Sequence, residues 1–363
     1  GLSDALVESN SIYVGNDPSS TSDNASYNIA VGTTALDAIT TGDNNVALGY
    51  DALTANTTGY ENSASGVESL YNNTSGRSNT AMGYRSLRAN TSGGYNTASG
   101  VESMYSNTTG QYNLALGVKS LRKNTTASYN TALGYAALYD ANRTADGNAY
   151  NTALGYNAGN TGTNDITTGD QNVLLGASTA ASQAAASNQI VIGYGATGTG
   201  NNSVSLGNTS VSSIKGQVAF TTYSDKRIKK NIVDNELGLS FINKLRTVTY
   251  NLKNPADYPE ALLEKRFKTG DESRPTDNTK TQDGLIAQEV KAVLDELGVE
   301  WSGWSKNDSD GKQGIQYGAL TVPLIKAMQE QQAQITELQN KINAIMEMQA
   351  SASASKSYGE GDQ

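Results

Sequence analysis

The sequence predicts a mainly β chain: a trimeric β-solenoid (β-roll) of short repeats, then a small α+β domain ending in a trimeric coiled coil. Three observations carry this. A glycine frame recurs at 17 residues through much of the first 207 positions, a charged and helix-capable sequence replaces it from Ser224, and a heptad pattern occupies the last helix-forming stretch. A fixed period of this size marks a stack, in which one unit cannot bury its apolar face alone and neighbouring units must complete the core.

The frame comes first. Gly32, Gly49, Gly66, Gly83, Gly100, Gly117 and Gly134 follow at 17 residues each; Gly155 and Gly176 continue at 21, Gly193 at 17 and Gly207 at 14. One unit reads NVALGYDALTANTTGYE (45–61) and another NTAMGYRSLRANTSGGY (79–95). Each predicts two short extended segments, broken at the glycine and again at an N-T-x-G turn, because Gly tolerates positive φ and Asn the left-handed region. Four or five small apolar residues per unit make a thin rung, which predicts several copies packed side by side. Leu48, Met82 and Leu116 alternate with Ser65 and Ser99 in one slot, a super-repeat of 34 residues. Tyr50, Tyr60, Tyr71, Tyr84, Tyr95, Tyr105, Tyr112, Tyr135 and Tyr156 fall in or beside the rungs, and are read as a stacked ladder ahead of a sugar- or protein-holding surface.

Other motifs in this region belong to the repeat. G-Y-G-A-T-G (193–198) matches a dinucleotide fingerprint but lacks the following helix and the acid about 20 residues on. Asn56, Asn73, Asn90, Asn107 and Asn124 head glycosylation sequons at the repeat spacing and read as turn residues. Asp43 and Asp170, in T-T-G-D turns, bring one carboxylate each, too few for a dedicated calcium site. No metal and no cofactor is expected.

The segments NVALG, NTALG and SVSLG (203–207) resemble the repeats in the heads of trimeric autotransporter adhesins. That resemblance covers roughly residues 28–207 and implies β-rolls that associate as trimers.

Composition narrows the chemistry. With neither cysteine nor histidine, disulfides, thiolate metal sites and imidazole catalysis are excluded. A net charge of -9 argues against a nucleic-acid binder, and no apolar run is long enough to span a membrane. Nothing at the N-terminus reads as a secretory signal.

From Ser224 glycine thins and charge rises. Residues 231–254 read as a short helix striped by Leu237, Leu239, Ile242 and Leu245, then a strand, TVTYNL. Residues 284–298 begin extended and turn into an amphipathic helix with Val290, Val293, Leu294 and Leu297 on one face and Gly298 as its stop. Met328, Gln331, Ile335, Leu338, Ile342 and Ile345 alternate spacings of three and four. Mixed Ile and Leu core positions favour three strands, with Gln331 as a polar register-setter. The composition of 350–363 predicts a disordered tail.

S-D-K-R-I-K-K-N-I (224–232), G-L-I-A-Q-E-V (284–290) and the Y-G-A-L…V-P-L-I-K-A-M-Q-E-Q stretch (317–331) resemble, in that order, the endosialidase-type C-terminal intramolecular chaperone of phage tail fibres and tailspikes. The resemblance implies a domain that trimerises, registers three fibre strands and then cuts itself off. Its dyad maps to Ser224 and Lys229, with cleavage between Tyr223 and Ser224. A Ser–Lys pair is a recognised variant of the histidine-based triad. Lys226, Arg227 and Lys230 crowd Lys229 with positive charge, which favours its neutral, proton-accepting form. Asp225 opposes this unless it pairs with Arg227. Five residues of separation do not share a helical face, so the segment must bend or the lysine must come from another chain.

The resulting expectation is a distal tail-fibre or tailspike protein of a phage. Residues 1–27 are a lead-in, 28–223 the solenoid, 224–323 the α+β chaperone, 324–349 the coiled coil and 350–363 the tail. The enzyme activity is single-turnover autoproteolysis with no external substrate. Partners are two further copies, an upstream fibre segment or virion tail proteins and a host surface receptor, glycan or protein, with no nucleic acid and no membrane insertion; the protein is made in the host cytoplasm and resides in the virion tail fibre. The alternative is a surface adhesin that keeps its trimerisation domain uncut. A glycan-degrading tailspike ranks last, because Glu61, Glu68 and Glu102 form no defensible carboxylate pair.

Overall fold

One alanine and one glycine per repeat set the architecture of the repetitive region. In the computed structural model, which describes residues 5–15, 24–143, 147–162, 164–211, 213–217, 220, 222–263, 274, 276–277, 279–307 and 311–359, the chain divides into two units, Gly1–Ile214 and Lys215–Gln363.

In the first unit, β1 (Ala5–Glu8) and β2 (Ser11–Val14) form an antiparallel hairpin. From β3 (Ile29–Val31) to β13 (Ser203–Leu206) every strand pairs in parallel with the one before it, beginning with β3 on β2, in a 13-stranded sheet that runs in sequence order. The stack therefore starts inside the residues read as a lead-in. Each rung gives a strand of three or four residues whose register superimposes the central alanines: Ala47 on Ala64, Ala64 on Ala81, Ala81 on Ala98. These alanines are fully buried, while their strand neighbours look outward. Alanine fills this slot in most rungs, and Tyr13, Leu174 and Val191 fill it at the ends of the stack.

After each strand the glycine turns the chain. At Gly66 φ is +143°, and a Cβ there would lie 2.5 Å from the Gly83 carbonyl oxygen of the next rung, so no other residue fits. The expected second extended segment does not form. Residues at alternate positions after the glycine, such as Glu68 (φ 55°) and Leu70 (φ 51°), are left-handed, which breaks a strand into successive corners. The backbone still bonds rung to rung, as from the Leu70 amide to the Ser86 carbonyl at 3.0 Å. A left-handed leucine costs about 1–2 kcal/mol, whereas burying its side chain returns about 1.5–3 kcal/mol. Leu53, Leu70, Leu87 and Leu121 are all completely buried, so burial decides the conformation.

Two columns of buried asparagine tie the rungs together. In the first, the Asn45 amide nitrogen and Nδ2 both donate to Asn28 Oδ1, at 2.8 and 3.1 Å, and Nδ2 also reaches the Gly59 carbonyl at 2.9 Å. In the second, Asn90 Nδ2 donates to Asn73 Oδ1 at 2.7 Å and to the Gly93 carbonyl at 3.0 Å, and Asn107 Nδ2 donates to Asn90 Oδ1 at 2.8 Å. The second column consists of the sequon asparagines Asn56, Asn73, Asn90, Asn107 and Asn124, all fully buried and closed to any glycan.

In the second unit, α1 (Leu239–Ile242) precedes β14 (Val248–Asn251), which pairs antiparallel with β15 (Thr281–Gly284). Helix α2 (Ala287–Leu297) stops at Gly298, whose φ of 66° closes it. A second ribbon, β16 (Trp304–Lys306) with β17 (Gln313–Ile315), leads through a 3-10 turn (Tyr317–Leu320) into α3 (Thr321–Gly359). The core is small: Leu237, Phe241, Val290, Leu294 and Trp301, with the Phe241 and Trp301 rings tilted at 5.6 Å. The sequence reading of 350–363 as disordered is corrected over residues 350–359, which continue α3. Alanine is the best helix former, and extending an existing helix avoids the cost of nucleation. Residues 360–363 lie outside the described residues.

Candidate functional site

The residues at the junction form a tight hook in the second unit. Asp225 caps a 3-10 turn over Lys226–Ile228, its side chain accepting from the Arg227 amide at 2.8 Å. The turn closes with the Ile228 amide donating to the Asp225 carbonyl at 3.2 Å and the Lys229 amide to the Lys226 carbonyl at 3.1 Å. The Arg227 guanidinium grips the same carboxylate, Nε at 3.0 Å and Nη2 at 2.6 Å from Oδ2. That side-chain pairing first, and the amide bond second, hold the Asp225 carboxyl below the usual carboxylate range, and the pair raises Arg227 in turn.

The hook reverses the chain, so Lys229 Nζ donates to Ser224 Oγ at 2.7 Å. The five-residue spacing is met by a bend within one chain, with no lysine from a neighbour required. Ser224, Lys229 and the preceding Tyr223 are all exposed, and Tyr223 keeps 87% of its surface in water. A hydroxyl beside an amine can lose its proton to that amine and attack a carbonyl carbon. The peptide carbonyl on the N-terminal side of Ser224 is that of Tyr223.

The heptad residues lie on α3 and face water in the single chain: Met328, Gln331, Ile335, Leu338, Ile342 and Ile345 are all exposed. Among the described residues no group of three or more carboxylates could hold a metal ion. Asp43 instead accepts from the Ser26 amide at 2.7 Å, and Asp170 stands 3.7 Å from Arg143. After the strand that ends at Ile192 the G-Y-G-A-T-G segment forms turns, with no helix to receive a phosphate.

The solenoid carries two kinds of ring stack. Tyr95, Tyr112, Tyr129 and Tyr150 lie face to face at 4.9, 5.2 and 4.9 Å, so each inner ring shows only its edge and hydroxyl to water. On another side Tyr71, Arg88, Tyr105, Arg122 and Tyr139 alternate, each guanidinium lying between two rings at 4.8 to 5.8 Å. Glu68 receives both Arg85 and Arg88, and Glu102 receives Arg122 at 2.8 Å. The alternating stack escaped the sequence reading, although the 34-residue super-repeat signals it.

Compared with known families, residues 224–299 match the one described as chaperone of endosialidase, and the match opens on Ser224, the hydroxyl of the hook. No protein of curated function matches the chain.

Proposed function

We propose, from the premise that the region after the junction is an endosialidase-type chaperone domain on a tail-fibre-like protein, that this domain assembles three chains and then severs itself from the solenoid. The observation that carries the cut is the 2.7 Å hydrogen bond from Lys229 Nζ to Ser224 Oγ, held by the Asp225 cap at the first residue of the family match.

The chemistry balances with this chain's own atoms. Ser224 Oγ bonds to the Tyr223 carbonyl carbon while its proton passes to Lys229 Nζ. The tetrahedral adduct collapses, the Tyr223–Ser224 C–N bond breaks, and the proton moves from Nζ to the departing nitrogen. Tyr223 is then held to Ser224 Oγ as an ester, which water hydrolyses to a Tyr223 carboxylate, restoring the hydroxyl on a chain that now begins with a free amine at Ser224. In the isolated chain the dyad is open to water. Burial on assembly removes that water and shifts the amine towards the neutral base the reaction needs.

Assembly rests on α3, whose exposed Met328, Ile335, Leu338, Ile342 and Ile345 repeat on one face and are covered when three helices coil together. The solenoid is the retained product, a virion fibre piece that presents a rigid surface to a host receptor. The test is the mass and N-terminal sequence of the purified protein. Wild-type chain yields a fragment beginning at Ser224, whereas Ser224→Ala and Lys229→Ala each leave one intact chain on a denaturing gel. Full processing in both variants contradicts the assignment.

A further inference from the structure

Residues 224–236 form an arm with no regular structure beyond the 3-10 turn, and every residue in it is exposed. Ile228, Ile232 and Val233 keep 69%, 63% and 85% of their surface in water, unusual for three β-branched aliphatic residues within six positions. The arm is fixed at its base, because Leu237 is buried with Phe241 in the core of its own chain.

The same unit carries an open apolar groove of about 590 Å³ between α1, β14, β15 and the start of α3. Its walls include Ile242, Leu245, Val248, Leu285, Leu320 and Leu324, and Asp283 also lines it. Leu324 stands four residues before Met328 and so continues the heptad stripe into the groove. The groove therefore opens onto the seam at which other copies of the chain meet. Although the arm ends only two residues before α1, which supplies one wall, it leaves its own groove empty and its own isoleucines in water.

We infer that the arm of one copy lies in the groove of a neighbouring copy, with Ile228, Ile232 and Val233 entering it and the cation Lys230 beside Asp283. Shape and charge agree: the arm offers aliphatic side chains flanked by positive charge, and the groove offers aliphatic walls with a carboxylate at hand. The inference rests on the trimeric reading above. It adds that the neighbouring chain removes water from the hook, because Ile228 and Ile232 flank Lys229.

The chain has no cysteine, so introduced thiols report without background. Two differently tagged full-length chains, one carrying Ile232→Cys and the other Leu245→Cys, are coexpressed, oxidised and run without reductant, with native mass spectrometry alongside. A disulfide joining the two tags within trimers is expected. Trimers without that crosslink, or a chain carrying both cysteines that links only within itself, overturn the arm exchange and leave the trimer standing; a monomer overturns both. As a second readout, the double variant Ile232→Asp/Val233→Asp is expected to remain trimeric and to cleave at least tenfold more slowly. Unchanged cleavage in that trimer also overturns the proposal.

Discussion

At the scale of single residues, Asp225 deserves the same weight as the dyad it supports. A serine and a lysine five residues apart meet only if the chain folds back, and the cap on the Arg227 amide makes that fold. Removing such a cap is expected to lower the bent population roughly fivefold. Asp225→Ala is therefore expected to slow cleavage about fivefold, measured as the time course of the new Ser224 terminus. Asp225→Asn keeps an acceptor for the amide while losing the ion pair with Arg227, and should fall between the two. Wild-type rates in Asp225→Ala would show that the hook is held by something else. The motif order singled out Ser224 and Lys229, the pair that the fold brings within 2.7 Å. The bend was not legible, because it depends on a side chain bonding its own backbone two residues on, which spacing alone does not reveal.

At the scale of the element, the rung was half legible. The glycine frame located every strand from β3 to β13, since a residue that must face another glycine carbonyl at close range leaves a fixed mark in the sequence. The second extended segment failed to appear because buried leucines in the left-handed region turn the chain, a tertiary gain that overrides local preference. The super-repeat gains a physical meaning from the charged pairs. Glu68 bonds forward to Arg85 and Arg88, and tyrosine and arginine alternate from Tyr71 to Tyr139, so neighbouring rungs are complementary. Looping out one rung would set arginine on arginine and glutamate near glutamate, which the alternation penalises; looping out two would not. The Arg85 and Arg88 hydrogen bonds hold the Glu68 carboxyl below its ordinary value. A depressed folded value means this contribution is complete above the unfolded carboxyl range of about 4.3 and is lost as pH falls through the folded one. The melting-temperature gap between wild type and Glu68→Gln should thus be constant above about pH 5 and shrink on acidification. A gap that does not change with pH contradicts the role given to this ion pair.

At the scale of the whole molecule, two surfaces are unfinished in a single chain. Parallel sheets are nearly always covered on both faces, yet this one exposes Ile29, Val46, Leu48, Met82 and Leu154 on its outer side. The apolar stripe of α3 is likewise open. In the proposed assembly side-by-side copies cover both, and a C-terminal trimer that forms first sets the register in which long, self-similar stacks then close. Parallel stacks of distant contacts fold slowly and pass through aggregation-prone states, so an assembly factor joined to the chain has a clear physical use. Under the proposed cleavage, solenoids freed of the factor cannot easily retrace their path, and their persistence becomes a matter of rate. The most direct test is native mass spectrometry of the freshly made protein beside its Ser224→Ala variant. The variant should appear as a trimer of intact chains, and the wild type as a trimer of solenoid fragments ending at Tyr223 with the C-terminal fragments released. A monomer whose Tyr223–Ser224 bond stays whole would contradict it.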